Sequence, residues 1–503
     1  MGPDKEEKST ATTKKRALTI NTEKKKKKGE EKHDEDGEAL SPAARLFHQR
    51  SFNCHIIAMM GLAKRIDVDA VKAGLEETLL RHPRFSSVMV PGTKERWLRT
   101  KVVIDNHIVV PDLNVEDSSL SSRDQLVEDY VSSLSTTTLP LSQPLWDIHI
   151  LNIRTSEAEA IGVLRVHHSL GDGVSLISLL LACTRRTSDP NALPTLPDSQ
   201  RRSAHSGGRG LCGFIMSIWK VMVLMWHTLV DVLLFVATST FLKDTETPLK
   251  GKDGVGFHRK RFIHRDLSLD DVKVVKNAIG CTVNDVLVGI TSAALSRYLN
   301  RRYGEMDDAK DKKKNLPPNI RLRTTMLVNV RKNSGIHALA ELMKGHGGAR
   351  WGNRIGYAIL RFPIAMFEDP VDYIRKGMEV TERKKNSLES IFTYASGVLI
   401  VKLLGIKVAA ALCHRMLSNT TVSFSSIAGP VEEIGFYDHP LVYIAPSVYG
   451  HPQAVTLHFQ SYMNKIKLVL AVDELTVPDP KRLVDDFVES LKLIKDATVK
   501  NSS

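Results

Sequence analysis

Two adjacent histidines, an aspartate and two glycines stand together at residues 167–173, "HHSLGDG", directly after the apolar run "IGVLRV". An imidazole titrates near neutrality, so a histidine facing a cavity can serve as a general base. A strand alternates its side chains between two faces. If the apolar run is a strand, His167 and His168 point in opposite directions and only one of them can be a reagent. His168 is the candidate base. Asp172, four residues on, is placed to fold back through the Gly-containing turn and hold the loop, for example through an arginine. Gly173 lets a ligand approach the backbone where the next helix begins. The plainer alternative is that both histidines are satisfied polar residues at a strand end, with Gly171 and Gly173 only making the turn.

Several other chemistries lack their residues. No G-x-S-x-G nucleophile motif occurs, which disfavours a covalent acyl-enzyme. No Walker loop or dinucleotide fingerprint occurs either. The five cysteines (Cys54, Cys183, Cys212, Cys281, Cys413) are scattered, with no CxxC pair for zinc or redox work. No metal site and no bound cofactor are expected, and the thiols read as reduced ones on the cytosolic side. Direct transfer to a deprotonated hydroxyl remains.

The elements that must position these residues follow from periodicity and caps. Residues 1–40 are Lys/Glu/Thr-rich and are expected to be a disordered charged tail. Their 11 Lys/Arg are nearly balanced by 10 Asp/Glu. Ser41 and Pro42 in "SPAARLFHQ" form an N-cap and first-turn pair for a short helix. "DVDAVKAGLEETLLRHP" places Val68, Val71, Leu75 and Leu79 on one stripe of a helix. "KVVIDNHIVVPDL" reads as an extended segment closed by Pro111, "PLWDIHIL" as a strand, and "VSLISLLLACTRR" as the helix after the histidines. A second αβ half follows, with strands in "TTMLVNV", "TVSFSSIAG", "AVTLHFQSY" and "KIKLVLAVD". This predicts an α/β (α+β) protein of two similar-sized domains, 41–190 and 257–495, with a short tail at 496–503.

Between the two halves, residues 191–256 form a basic linker around an apolar stretch, 211–242. Residues 191–265 hold 11 Lys/Arg against 5 Asp/Glu, close to half of the whole +13 excess. With aromatic content of 6% and no Arg/aromatic interleaving, the basicity suits a membrane surface or an anionic co-substrate and not nucleic acid. The stretch is long enough to span a bilayer. However, Lys220, His227 and Asp231 fall within roughly 40° of one helical line, extended by Gly213 and Thr238. Such a stripe describes a helix lying on a membrane or packed on protein, with a true span as the competing reading. The first forty residues lack the apolar core of a secretory signal, and "MGPDKE" has Glu6 where a myristoylation site wants Ser or Thr.

"HHSLGDG" resembles the HHxxxDG motif of the bifunctional wax ester synthase/diacylglycerol acyltransferases, themselves similar to the wider HxxxD group of CoA-dependent acyltransferases and condensation domains. "PLW" (Pro144, Leu145, Trp146), the Asn284–Asp285 pair of "VNDVLVG", "VNVR", "GN" (Gly352, Asn353) and "SYMNK" extend the likeness over about residues 40–495. One departure is Ser426 in "SFSSIAGP", where the family often has Asn. "DFGWG", the late signature of the soluble plant HxxxD enzymes, is absent. The resemblance implies two chloramphenicol-acetyltransferase-like domains forming a central tunnel, plus the long hydrophobic linker helix. It implies acyl-CoA as co-substrate and a fatty alcohol or diacylglycerol as acceptor. His168 would take the hydroxyl proton, His167 would be structural, and Asp172 would organise the loop. Asn284 would donate to the developing oxyanion or, on the residues alone, cap the following helix. Trp146 would be core or tunnel wall. The implied product is wax ester, with triacylglycerol second, made on the cytosolic face of the endoplasmic reticulum membrane. A different acceptor alcohol, or a lipid-binding protein without turnover, are the alternatives.

Overall fold

The computed structural model describes residues 37–92, 95–113, 119–197, 211–306, 315–330, 335–344 and 351–502. Most of the expected tail lies outside these residues, but its end does not: Glu38 and Ala39 pair with Trp97 and Arg96.

The first half runs β1 (Glu38–Ala39), α1 (Pro42–Phe47), β2 (His55–Leu62), α2 (Val68–Glu77), β3 (Ser87–Val90), β4 (Arg96–Arg99) and β5 (Ile108–Val109). It continues through α3 (Leu120–Leu134), β6 (Trp146–Leu151), β7 (Ala160–His167), α4 (Gly173–Ala182) and β8 (Thr184–Arg186). The long apolar helix α5 (Leu211–Thr240) follows. The second half begins β9 (Lys260–Ser268), α6 (Leu269–Ile279), α7 (Val283–Met306), β10 (Leu322–Asn329), α8 (Gly335–Met343) and β11 (Ile355–Phe362). Then come α9 (Asp372–Lys385), α10 (Glu389–Leu404), α11 (Ile406–Ser418), β12 (Val422–Ile427), β13 (Ile434–Phe436), β14 (His439–Tyr449), β15 (Val455–Tyr462), β16 (Lys465–Asp473) and α12 (Pro480–Ser502).

Local signals explain the helix starts. Asp67 accepts the amides of Asp69 and Ala70 at the head of α2, and Ser41 accepts that of Ala44 at the head of α1. The α2 stripe is buried as its spacing requires, at Val71 and Leu75. "KVVIDNHIVV" departs from an extended reading: residues 104–107 close a 3-10 turn, and only Ile108 and Val109 pair as strand. The turn puts the buried His107 ring against Trp146, with its Nδ1 2.7 Å from the Trp146 carbonyl oxygen.

Two large sheets organise the chain, beside a small one of order β1-β4-β3. One has the order β11-β10-β12-β15-β16-β9, all from the second half. The other has the order β5-β6-β7-β2-β14-β13-β8. The division at residues 190 and 257 is therefore not a division between sheets. β13 and β14 come from the second half yet complete the sheet of the first, because β2 would otherwise leave an open edge. β14 pairs along the whole length of β2, from Leu441 opposite Leu62 to Tyr449 opposite His55. Apolar residues of both halves also share one cluster, including Ile57, Val131, Phe262, Tyr443 and Val469. The expected C-terminal tail is mostly helical, since α12 continues to Ser502.

Helix α5 settles on protein through the later part of its polar line, while Lys220 in the earlier part is exposed. Asp231 is fully buried and pairs with Arg383 (2.6 Å) and Lys384 (3.0 Å) of α9. Thr238 accepts from the Arg323 guanidinium of β10 at 2.5 Å. Ahead of His227, Phe214, Trp219, Met222 and Trp226 stay exposed. Among the described residues α5 is the one single helix long and apolar enough to cross a membrane, over Gly213–Thr240.

Candidate active site

β7 is buried on both faces between β6 and β2, which explains its mostly apolar run, and the one arginine in it, Arg165, is buried against Asp147. Its last residue, His167, lies opposite His55 in register. Both His167 nitrogens are occupied, Nδ1 by Ser169 Oγ at 2.6 Å and Nε2 by Asn53 Oδ1 at 2.9 Å. Its ring stacks on His48 and meets His55 edge-on. Burial, together with neighbouring His48, His55 and His168, holds it far below the usual histidine range. A neutral, doubly bonded imidazole has no free nitrogen for a substrate proton, so His167 is a structural member of the motif.

His168 is different. Its backbone amide donates to the Cys54 carbonyl at 2.9 Å, which fixes the main chain. Its ring is buried against Phe47, with centroids 4.2 Å apart and planes 20° from parallel. Nδ1 is sealed from solvent without a hydrogen-bond partner among the described residues. Burial lowers the His168 pKa, while its own carbonyl, Asp172 and Asn353 pull it back upward. The imidazole is thus neutral at pH 7, the state a general base needs.

Asp172 caps α4. Its Oδ1 accepts the Ser175 amide at 2.9 Å, and its Oδ2 accepts the backbone amide of Arg354 at 3.4 Å. One of its partners is thus an arginine's main chain.

A short segment of the second half clamps the entire loop. Trp351 donates its indole N–H to the Leu170 carbonyl at 2.6 Å, and Asn353 Nδ2 reaches the carbonyls of His168 (2.9 Å) and Ser169 (3.2 Å). The close approach depends on the motif's glycines. A Cβ at Gly171 would stand 3.0 Å from the Trp351 ring, and one at Gly173 would press Ile427 of β12 at 3.3 Å. Gly173 therefore serves packing of the two halves. Gly352 makes the clamp's turn at φ +107°, a region other residues rarely enter.

The remaining expected residues are placed as follows. Leu145 and Trp146 are fully buried; Trp146 Nε1 donates to the Phe85 carbonyl and its ring belongs to the core. The Pro144 carbonyl accepts the Trp146 amide, and the Leu145 carbonyl accepts the His167 amide at 2.9 Å, so "PLW" holds the end of β7. Asn284 does not cap α7. Thr282 and Asp285 do so reciprocally: the Asp285 amide donates to Thr282 Oγ1, and the Thr282 amide donates to Asp285 Oδ2. Asp285 is also held by Thr381 and Lys385. Ser426 is solvent-exposed at the end of β12.

A cavity of about 630 Å³ lies beside the motif. Phe47 and Asn353, both in contact with His168, line it. Phe47 covers one face of the His168 ring. Sequence reasoning missed Phe47, Asn53 and Trp351, and it noted Asn353 as matching text without giving it a role. His458 of β15 was missed too; burial and the nearby His168 hold its pKa near about 4.

Comparison with known proteins adds the lineage. The wax ester synthase/diacylglycerol acyltransferase catalytic domain matches residues 65–287, and the WS/DGAT C-terminal domain matches residues 351–495. Wax ester synthase/diacylglycerol acyltransferase 6 of Arabidopsis thaliana is 47% identical over 497 residues, covering 94% of this chain and 96% of its own length. Number 11 of the same plant is 48% identical over 468 residues, covering 92% and 95%. Among solved structures, the wax ester synthase/diacylglycerol acyltransferase from Marinobacter aquaeolei VT8 superposes with a TM-score of 0.58 at 16% identity, over 92% of this chain and 99% of that one. The trichothecene 15-O-acetyltransferase of Fusarium sporotrichioides follows at 0.54 and 10% identity, over 91% and 95%. These two likenesses establish the shared two-sheet α/β fold. With the catalytic domain, the C-terminal domain and nearly full-length similarity all present, this chain belongs to the wax ester synthase/diacylglycerol acyltransferase family and is an acyltransferase.

Proposed function

We propose that the protein transfers a fatty acyl group from acyl-CoA to a long-chain alcohol, with diacylglycerol as a second, slower acceptor. The observation that carries this reading is a buried, neutral His168 whose neighbours Phe47 and Asn353 line a large cavity. Nδ1 is enclosed, which leaves Nε2 to meet the acceptor. Nε2 takes the hydroxyl proton as the oxygen attacks the thioester carbonyl carbon. The tetrahedral intermediate collapses with cleavage of the C–S bond, and the imidazolium returns the proton to the departing thiolate. Ester and free coenzyme A result, and the base is restored. No bound cofactor or metal takes part in this scheme.

The membrane is the proposed workplace, on the cytosolic face of the endoplasmic reticulum. The exposed apolar front of α5 supports this reading. A single crossing is disfavoured by the chain's connections. Before α5, Thr187 and Thr195 bond to Glu433 and Glu432; after it, Asp244 bonds to Arg323. Both flanks therefore belong to one folded body. A full span by α5 would place its two flanks on opposite faces of the bilayer, against their attachment to one body. A helix that dips into one leaflet fits these constraints.

The test is purified protein in phosphatidylcholine vesicles with labelled palmitoyl-CoA, offered hexadecanol and diacylglycerol separately. Wax ester should form faster. Equal or faster triacylglycerol formation at matched concentrations would overturn the acceptor preference, and no ester from either would overturn the reading.

A further inference from the structure

The cavity beside His168 has an unusual wall. Its inner end is formed by Phe47 and Asn353, and its outer wall by α5, α10 and α11 through residues such as Val236, Phe392, Val398 and Leu412. The outer surfaces of α5 and α10 are largely apolar as well. Leu233 of α5 is 59% exposed, Leu399 of α10 54%, and Leu403 and Leu404 at the end of α10 are 71% and 61% exposed. An apolar cavity enclosed by helices that are apolar on the outside has no use for water on either side. Gly405, at φ +83°, joins α10 to α11, and the exposed Lys402 and Lys407 stand on either side of that junction. Leucines at a helix tip flanked by lysines suit a bilayer interface, where the chains bury and the ammonium groups reach anionic headgroups.

We infer that this cavity holds the hydrocarbon chain of the acceptor and that it fills laterally from the bilayer, between α5 and the α10–α11 pair. The inference rests on the acyltransferase reading above and specifies where its second substrate enters. The occupant is a neutral lipid with a free hydroxyl. An acyl-CoA does not fit this route, because its polyanionic nucleotide head would have to pass through lipid. Of the charged residues that line it, Arg354 is exposed to solvent and the other two offset each other. Arg84 and Glu38 neutralise one another in a two-pronged ion pair (2.5 and 2.8 Å). The amide of Asn353 lies at the end where a hydroxyl would meet His168. At about 630 Å³ the space falls within the roughly 300–1,000 Å³ of small-molecule sites.

Gly397 supplies the means to test it. It lies in the middle of α10, lines the cavity, and a Cβ there would meet nothing within 4 Å. A larger side chain can therefore project into the empty space without displacing the fold, and a glycine inside a helix is itself unfavourable. Gly397→Leu and Gly397→Trp should progressively fill the cavity. With hexadecanol supplied in phosphatidylcholine vesicles, the acceptor KM of Gly397→Trp should rise by about tenfold or more, as expected for losing the burial of a few methylenes. Gly397→Leu should lie between it and the wild type, and the KM for palmitoyl-CoA should stay within about twofold. The thermal transition of each variant identifies the folded ones, and Gly397→Leu serves if Gly397→Trp does not fold. Folded variants with an unchanged acceptor KM, or with the palmitoyl-CoA KM rising instead, would overturn the inference. A wild-type protein that forms no ester would overturn the functional reading and not this one alone.

Discussion

Asn353 donates its side-chain amide to the backbone carbonyl of His168 at 2.9 Å, across 185 residues of sequence and from one half of the chain to the other. The candidate base is thus held by a residue outside its own motif. Replacing the amide strips two buried carbonyls of their donor, a loss of about 1–3 kcal/mol for such groups. Asn353 also raises the His168 pKa against the lowering effect of burial. Asn353→Ala should therefore reduce kcat more than it raises either KM. The acid limb of its pH–rate profile should move to lower pH, because the base then protonates less readily. A purely structural role would lower the melting temperature and leave that limb in place.

Acid sensitivity of the fold should be pronounced. Burial lowers His48, His55, His264 and His458 from 6.5 to about 4, and His82 and His451 to about 3. Each binds its proton more readily unfolded than folded, so falling pH favours the unfolded chain. Stability should decline as pH drops from 6.5 towards 4, and a melting temperature followed across that window measures it. A flat profile would contradict the burial of these rings.

The buried carboxylate of α5 gives a separate prediction. Asp231 ties the helix to Arg383 and Lys384, and Lys384 is also held by Glu389. Asp231→Ala removes the one buried anion of α5 that α9 grips, at a cost of about 1–3 kcal/mol. Amide exchange along residues 227–240 should accelerate, while exchange in β15 and β16 stays slow. Uniform acceleration would mean that α5 is not a separable element.

Topology is open to proteolysis. In microsomes carrying tagged protein, both termini should be cleaved from outside without detergent, as one folded body on one membrane face requires. Protection of either tag would contradict the one-leaflet account of α5.

How much of this was legible in the sequence depends on distance along the chain. The end of β7 at His167 and the later part of the α5 polar line, Asp231 and Thr238, are local patterns that lie where their spacing places them, whereas His168 falls in the turn beyond the strand. The α7 cap was legible too, since Thr282 and Asp285 have capping-box spacing. The 3-10 turn at 104–107 defeated an apolar count, because Val and Ile favour strands until packing on Trp146 decides otherwise. No local pattern could announce that Asn53 occupies His167, that Phe47 covers His168 or that Asn353 clamps the loop. Those contacts join residues far apart in the chain and exist only in the folded structure. Gly450 at φ +92° packs beside one of them, its Cβ position lying 2.1 Å from the Asn53 carbonyl. A lone glycine in a sequence does not reveal this.

The most direct test of the account is the initial rate of labelled palmitoyl transfer to hexadecanol by purified His168→Ala and His167→Ala proteins, each with its melting temperature. Loss of the general base should cost His168→Ala about 10² to 10⁴ in kcat while its melting transition survives. His167→Ala loses bonds to Ser169 and Asn53, so its transition should fall, and the fraction that remains folded should retain substantial turnover. Folded His168→Ala protein turning over at near the wild-type rate would contradict the central claim.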